Sequence, residues 1–360
     1  MRDNMSILQK TRDRESYFER NSTLTWGTRE GIKVALNAFE RFCQAKYKLG
    51  TEQAIAELNM LPAEQKENTI FDVLQAFVNH LTEKELVAST IRALCIRARH
   101  YLAYRLFVKI HAEDIRGNIK FPKALKRKNY VLMPDDIKKI LAYASYQRWA
   151  LYLFLASTGA RIQEACKLRK RDFAEGERYK ITFPASYTKT RTARITFMSK
   201  EAEKYVKPIL DKLSPDDLVF GLNEVPEKAV LNEEMYFFRL RKLAGLTEKY
   251  ETGISKITLH TFRSFFISKC EKIHEGLGHA LAGHDRYMQE YERYTDEELL
   301  EFYLKVEPSL GIYSQPTRVE IELKEQLEKE RMKVARLENR MNSLDIILSE
   351  IQKRIEKSDH

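Results

Sequence analysis

Four short stretches carry side chains able to work on an anion. In "ASTGARIQE", Arg161 follows a Thr-Gly break by one residue, at what reads as the first turn of a helix. That end of a helix bears partial positive charge, so a cation is out of place there unless an anion such as a phosphate occupies the same spot. The plainer reading pairs Arg161 with Glu164, three residues on. "SYTKTRTARITF" puts Lys189 in a β connection, and "ITLHTFRSFF" sets His260 and Arg263 three apart, on one face if helical. "LAGHDRYMQEYERYT" supplies His284 and then Tyr287, Tyr291 and Tyr294. Each box alone is weak, because a lysine in a turn is ordinarily just solvated and a His-x-x-Arg arises by chance in basic chains. No HxH or HExxH spacing predicts a metal, and no GxxxxGK pattern predicts a phosphate loop, so no cofactor is expected.

The order and spacing of these boxes resemble the tyrosine recombinase, or phage integrase, superfamily, most closely its archaeal and archaeal-virus integrases. The family's T-G-x-R-x-x-E signature matches "TGARIQE", with Arg161 as the first catalytic arginine. Its hairpin lysine falls on Lys189, its HxxR box on His260 and Arg263, and its later histidine on His284 in "LAGH". His279 in "GLGH" is the alternative, but it follows Arg263 by a gap short for the family. Tyr291 matches a Tyr-x-Arg followed by an acidic "EEL" helix, while gap counting in bacterial relatives points nearer to Tyr294. Tyr287 reads as structural. The resemblance spans roughly Asp135 to Leu310.

The resemblance implies a DNA strand transferase. A phenol oxygen attacks a backbone phosphorus, forms a 3′-phosphotyrosyl link and releases a 5′-hydroxyl, and a second strand's hydroxyl reverses the step without ATP or metal. Arg161 and Arg263 would stabilise the charge building on the phosphate oxygens, because guanidinium is planar, always charged and bidentate. His260 would add a donor or manage the nucleophile's proton, and His284 would hold the phosphate. Lys189 can protonate the departing oxygen, a task needing a proton that arginine does not release. Type IB topoisomerase-like relaxation shares this chemistry and is an alternative. A catalytically silent DNA-binding architectural protein is another, although such a protein has no reason to keep the full residue set.

Positioning these groups requires a sizeable scaffold, and 360 residues predict two domains plus extras. The chain is 43% hydrophobic, has no apolar run long enough for a membrane span, and begins without a signal-peptide h-region. Cys43, Cys95, Cys166 and Cys270 lie far apart, which suits reduced thiols in a cytoplasm. Net charge is +10, and the tail from Thr317 holds ten Lys/Arg and ten Asp/Glu, so the excess sits before it. A basic body predicts a polyanion partner, here double-stranded DNA, against the bland alternative of ordinary solubility.

The expected architecture is mainly α with a small antiparallel β-sheet. Residues 1–25 read as a flexible arm and 26–120 as a helical core-binding domain. In that domain Ile32, Val34, Ala35, Ala38, Phe39 and Phe42 form one apolar stripe, and Phe71, Val73, Leu74, Phe77, Val78 and Leu81 another. A third helix, capped by Ser89 or Thr90, carries Arg92, Arg97 and Arg99 with no acid nearby, a candidate phosphate-binding face. Residues 121–134 read as a basic linker, with Lys123, Lys126, Arg127 and Lys128 as DNA contacts and Arg191 as another in the hairpin. Residues 135–312 form the catalytic domain, with helices over "RWALYLFLAST" and "ARIQEACKL" and a two-stranded β element around Lys189. Residues 317–358 show a heptad seam through Leu323, Leu327, Val334, Leu337, Met341, Leu344, Leu348, Ile351 and Ile355. So narrow a stripe is marginal alone and predicts pairing with another copy or folding back on the chain's own body. The resemblance implies a tetramer on paired sites, with the helical and catalytic domains clamped about the duplex.

Overall fold

The computed structural model describes residues 12–124, 128–221, 225–283, 294–313 and 333. It divides into two compact units, Met1–Arg127 and Lys128–His360. The first is helical: α1 (Arg14–Arg20), α2 (Trp26–Tyr47), α3 (Thr51–Met60), α4 (Ala63–Glu83), α5 (Ala88–Leu106) and α6 (Ala112–Asn118). The stripes at helical spacing meet in one core, where Phe39, Phe42 and Phe77 pack edge-on or tilted, with centroids 5.2–5.8 Å apart. Val34 departs from its expected place and is exposed, because it falls on the opposite side of α2 from Ile32 and Phe39. The expected loose arm is helical over Arg14–Arg20, while its residues 1–11 lie outside the described residues. Asp13 caps α1 by accepting the Ser16 N–H at 2.7 Å, and Tyr17 is buried against Tyr101 and Tyr104. The third helix begins at Ala88 without a side-chain cap, the Thr90 and Ile91 N–H groups bonding to the Val87 carbonyl instead of a hydroxyl starting the helix.

The second unit runs α7 (Pro134–Leu141), α8 (Tyr146–Thr158), α9 (Ile162–Ala165), β1 (Phe173–Ala174), β2 (Lys180–Phe183), β3 (Arg194–Phe197), α10 (Lys200–Leu210), α11 (Pro226–Leu243), α12 (Leu259–Cys270), α13 (Leu277–Ala282) and α14 (Asp296–Leu310). Pro134 sits in the first turn of α7, where its missing N–H has no helical partner to lose. From Trp149 to Thr158, α8 is buried on every side, as a helix apolar all round must be. α7, α10, α12 and α14 pack around it. The β element has three antiparallel strands in the order β1-β2-β3, not two, since the short Phe173–Ala174 stretch pairs with Lys180 and Ile181. Phe183 pairs with Arg194 across the base of a ten-residue connection that holds Lys189. α9 is only four residues, much shorter than expected, and gives way to a turn that leads to β1.

α14 closes the unit. Thr295 and Glu298 form a reciprocal cap at its start. Tyr303 is fully buried, with its hydroxyl donating to the Ser157 carbonyl at 2.9 Å. Past its end, the Ile312 and Tyr313 N–H groups donate to Glu201, and Tyr313 stacks on Trp149 at 5.2 Å. The heptad seam lies outside the described residues. Among those described, no helix is long and apolar enough to cross a membrane.

Candidate active site

The Thr-Gly break has a definite job. Gly159 ends α8 in the left-handed conformation at φ 63°, with its N–H donating to the Leu155 carbonyl at 3.1 Å. A Cβ there would sit 2.3 Å from Phe266 Cδ1 of α12, so glycine is required both by backbone angle and by close approach. The sharp reversal delivers Arg161 to the N-cap of α9. The Gly159 carbonyl, freed from the helix, accepts Arg263 Nη1 at 2.7 Å. One glycine therefore sets the backbone beside two arginines that are 102 residues apart in the chain.

Arg161, Lys189, His260 and Arg263 line a single cleft of about 670 Å³, together with Phe237, Phe238 and Arg241 of α11. Arg263 is 1% exposed, yet its Nε and Nη2 have no hydrogen-bond partner among the described residues. Burial, with the charges of Arg161 and Arg194 next, pushes it down to about 9. Buried donors without acceptors are costly, and these two nitrogens are able to meet an acceptor that enters the cleft. His260, one turn earlier on α12, is exposed at the cleft. Desolvation by the cleft wall, then Arg263 and Arg161, hold its imidazole below the usual range. Lys189 is exposed in the hairpin connection, whose backbone is braced by the Thr188 hydroxyl donating to the Ala185 and Thr192 carbonyls.

The pairing of Arg161 with Glu164 is also present, and it coexists with the cleft position. Glu164 Oε1 accepts Arg161 Nη1 at 2.7 Å, and Oε2 accepts the Arg161 backbone N–H at 3.1 Å. Glu164 is 1% exposed; its burial opposes ionisation, but the charge of Arg194 and the Arg161 contacts outweigh this and hold its carboxyl below the usual range. Arg194 belongs to this group and was not singled out in the sequence. Its signal was a cation at the head of the otherwise apolar strand "RITF". Arg241 was missed for a similar reason: only the fold turns it into the cleft wall, where it donates to the Ile257 carbonyl.

Other expected residues fall elsewhere. His284, Tyr287 and Tyr291 lie outside the described residues. His279 is on α13 with Nε2 4.0 Å from Glu271, and the Glu271 carboxylate also accepts the Gly276 and Gly278 N–H groups. Tyr294 packs edge-on against His274 and Phe302, with centroids 6.0 and 5.7 Å away, and is not among the cleft residues. Among the DNA-contact candidates, Arg92 is exposed over the Phe121 ring at 4.6 Å, and Lys123, Lys128 and Arg191 are exposed. Arg97 is half-buried, its guanidinium pressed against Gly31. Arg99 does not belong to an outer basic face. It is buried beside His100, because the position lies on the side of α5 that carries Cys95 and Leu102. Lys126 and Arg127 lie outside the described residues. Among the described residues no group of three or more His, Cys, Asp or Glu is placed to hold a metal ion.

Residues 130–273 match the model of the phage integrase family. A protein named "Probable integrase/recombinase" from Aquifex aeolicus (strain VF5) is 27% identical over 232 residues, 54% of this chain and 71% of that relative. The fold is similar to that of a lambda integrase fragment solved as a dimer bound to a COC′ core site, with TM-score 0.51 and 16% identity over 85% of this chain and 97% of that one. It is also similar to the Tn1549 transposon integrase solved in complex with transposon right end DNA, with TM-score 0.50 and 15% identity over 81% and 97%.

Proposed function

We propose that this chain, which belongs to the tyrosine recombinase superfamily, is a site-specific recombinase that cuts and rejoins DNA through a 3′-phosphotyrosyl intermediate. The observation that carries the reading is Arg263: a buried guanidinium with two nitrogens that have no partner among the described residues, in one cleft with Arg161, Lys189 and His260. Two guanidiniums facing a shared space match a phosphodiester, whose non-bridging oxygens gain charge as a fifth ligand approaches phosphorus. The Tyr291 phenol attacks phosphorus and the P–O5′ bond breaks. Lys189 gives its proton to the departing 5′ oxygen. His260, its imidazole held below the usual range by burial and then by Arg263 and Arg161, can accept a proton from the phenol or donate to the phosphate. His284 completes the phosphate contacts. The bond energy is conserved in the phosphotyrosine, so a 5′-hydroxyl from another strand reverses the step without ATP or metal.

Tyr291 is preferred to Tyr294 because the Tyr294 ring is engaged with His274 and Phe302. Duplex contacts outside the cleft fall to Arg92, Lys123, Lys128 and Arg191, with Lys126 and Arg127 continuing the basic run. The heptad residues from Leu323 to Ile355 pair with other copies and favour a tetramer on two sites. The test is covalent trapping. Incubation with supercoiled plasmid or candidate site DNA, followed by SDS, yields protein bound to DNA. Tyr291→Phe abolishes the adduct and leaves binding intact. Loss with Tyr294→Phe instead moves the nucleophile, and an adduct that survives both substitutions overturns the mechanism.

A further inference from the structure

Arg194 opens β3 at the base of the hairpin that carries Lys189, and the reaction above gives it no task. Its guanidinium is buried and lies over the Phe183 ring at 3.9 Å. Nη2 donates to Glu164 Oε2 at 2.6 Å, and Nη1 donates to the Leu281 carbonyl of α13 at 3.0 Å. Gly283 presses on its stem, where a Cβ would lie 2.4 Å from Arg194 Cδ. One side chain thus ties the lysine hairpin to the N-cap of α9 and to the end of α13, directly ahead of His284.

Glu164 has two oxygens and two arginine claimants. Carboxylate and guanidinium prefer to meet through two parallel bonds. Here Arg161 supplies one guanidinium nitrogen, to Oε1, and Arg194 supplies the side-chain donor to Oε2. We infer that Arg194 is a positioning residue: by engaging Glu164 Oε2 it prevents that carboxylate from closing a two-bond fork on Arg161, and so leaves Arg161 a face for the scissile phosphate. Through its other nitrogen, on the Leu281 carbonyl, the same guanidinium registers α13 beside the Lys189 hairpin. This inference rests on the proposed reaction, in which Arg161 meets the phosphate. Without Arg194, Glu164 would neutralise Arg161 outright and draw it from the cleft.

The test uses the full chain with Arg194→Met, Arg194→Lys, Glu164→Gln and the Arg194→Met/Glu164→Gln double variant. Two quantities are read: covalent trapping on DNA, and phenylglyoxal labelling of Arg161 followed by peptide mass spectrometry. Arg194→Met lowers trapping between about tenfold and a hundredfold, the scale for a misplaced catalytic group, while DNA binding persists. It also slows Arg161 labelling. The double variant recovers trapping and labelling above Arg194→Met, because Gln has no charge with which to hold Arg161. Arg194→Lys, which keeps a donor for Oε2, retains more trapping than Arg194→Met. A double variant no better than Arg194→Met overturns the inference and reduces Arg194 to a structural tie. Labelling that is the same in the wild type and Arg194→Met overturns it too, whether or not DNA is cleaved. If the wild type forms no adduct but labelling follows the expected pattern, the control of Arg161 by Arg194 stands and the proposed reaction fails.

Discussion

Gly159→Ala tests how the site is built, because its two costs can be separated. The residue sits at φ 63°, where an L-residue with a Cβ is strained by roughly 1–2 kcal/mol. The new methyl would also lie 2.3 Å from Phe266 Cδ1, 2.9 Å from Cγ and 3.1 Å from Cε1. Phe266 is fully buried in a packed core, so overpacking adds about 1–3 kcal/mol. The total is about 2–5 kcal/mol, which for a unit of this size lowers the melting temperature by roughly 2–4 °C per kcal/mol. Gly245 supplies the control: its φ is 73°, but nothing lies within 4 Å of the position its Cβ would take. Gly245→Ala therefore carries only the backbone strain. Thermal melts followed by circular dichroism should show Gly159→Ala falling well below Gly245→Ala. Covalent trapping should fall as well, because the Gly159 carbonyl holds Arg263 and the next turn places Arg161. Equal melting temperatures for the two variants would refute the close approach of α8 and α12, and with it the account of how the two arginines are brought together.

Arg263→Met removes a buried charge that is incompletely paired among the described residues and leaves an apolar chain of similar length. Trapping should drop on the order of 10²–10³-fold while the melting temperature stays level or rises, since an apolar replacement of a buried ion is often neutral or stabilising; a marked loss of stability would argue that the guanidinium is structural. Lys189→Arg keeps the charge but not a transferable proton, so cleavage should fall and be restored on a substrate whose 5′ bridging atom is sulfur, a leaving group that needs no proton. If the sulfur substrate is cut no faster by this variant, Lys189 is not the acid. The His260 imidazole is depressed in the folded state, so the unfolded chain takes up its proton first as pH falls through about 6.5. His260 therefore contributes stability above that pH and loses it below, and His260→Gln should flatten part of the decline in melting temperature between pH 7 and 5. Parallel curves for the two proteins would contradict the depression.

Much of this arrangement was open to reading in one dimension. The helix over Tyr146–Thr158 follows from an unbroken apolar run, and the Thr-Gly break after it marks the turn, because only glycine takes that angle freely. His260 and Arg263 share the cleft because residues three apart on a helix are neighbours. Those are local rules, and they operate within a few residues of chain. The helix expected after Arg161 was overextended because "ARIQEACKL" has helical spacing for longer than the tertiary packing lets it continue.

Which charge meets which partner is a different kind of fact. The choice between Glu164 and a cleft for Arg161 was open in the linear chain, and the three-dimensional arrangement answers with both, because Arg194 arrives from 30 residues away to share the carboxylate. Arg99 and Arg92 look alike in a run of basic residues, yet one is buried and the other exposed, since helix phase against neighbouring helices sorts them. Residue types and spacings prescribe the local turns and the chemical inventory. Burial, dielectric and the matching of distant donors with acceptors arise only when the segments pack, because each depends on atoms that the sequence places far away.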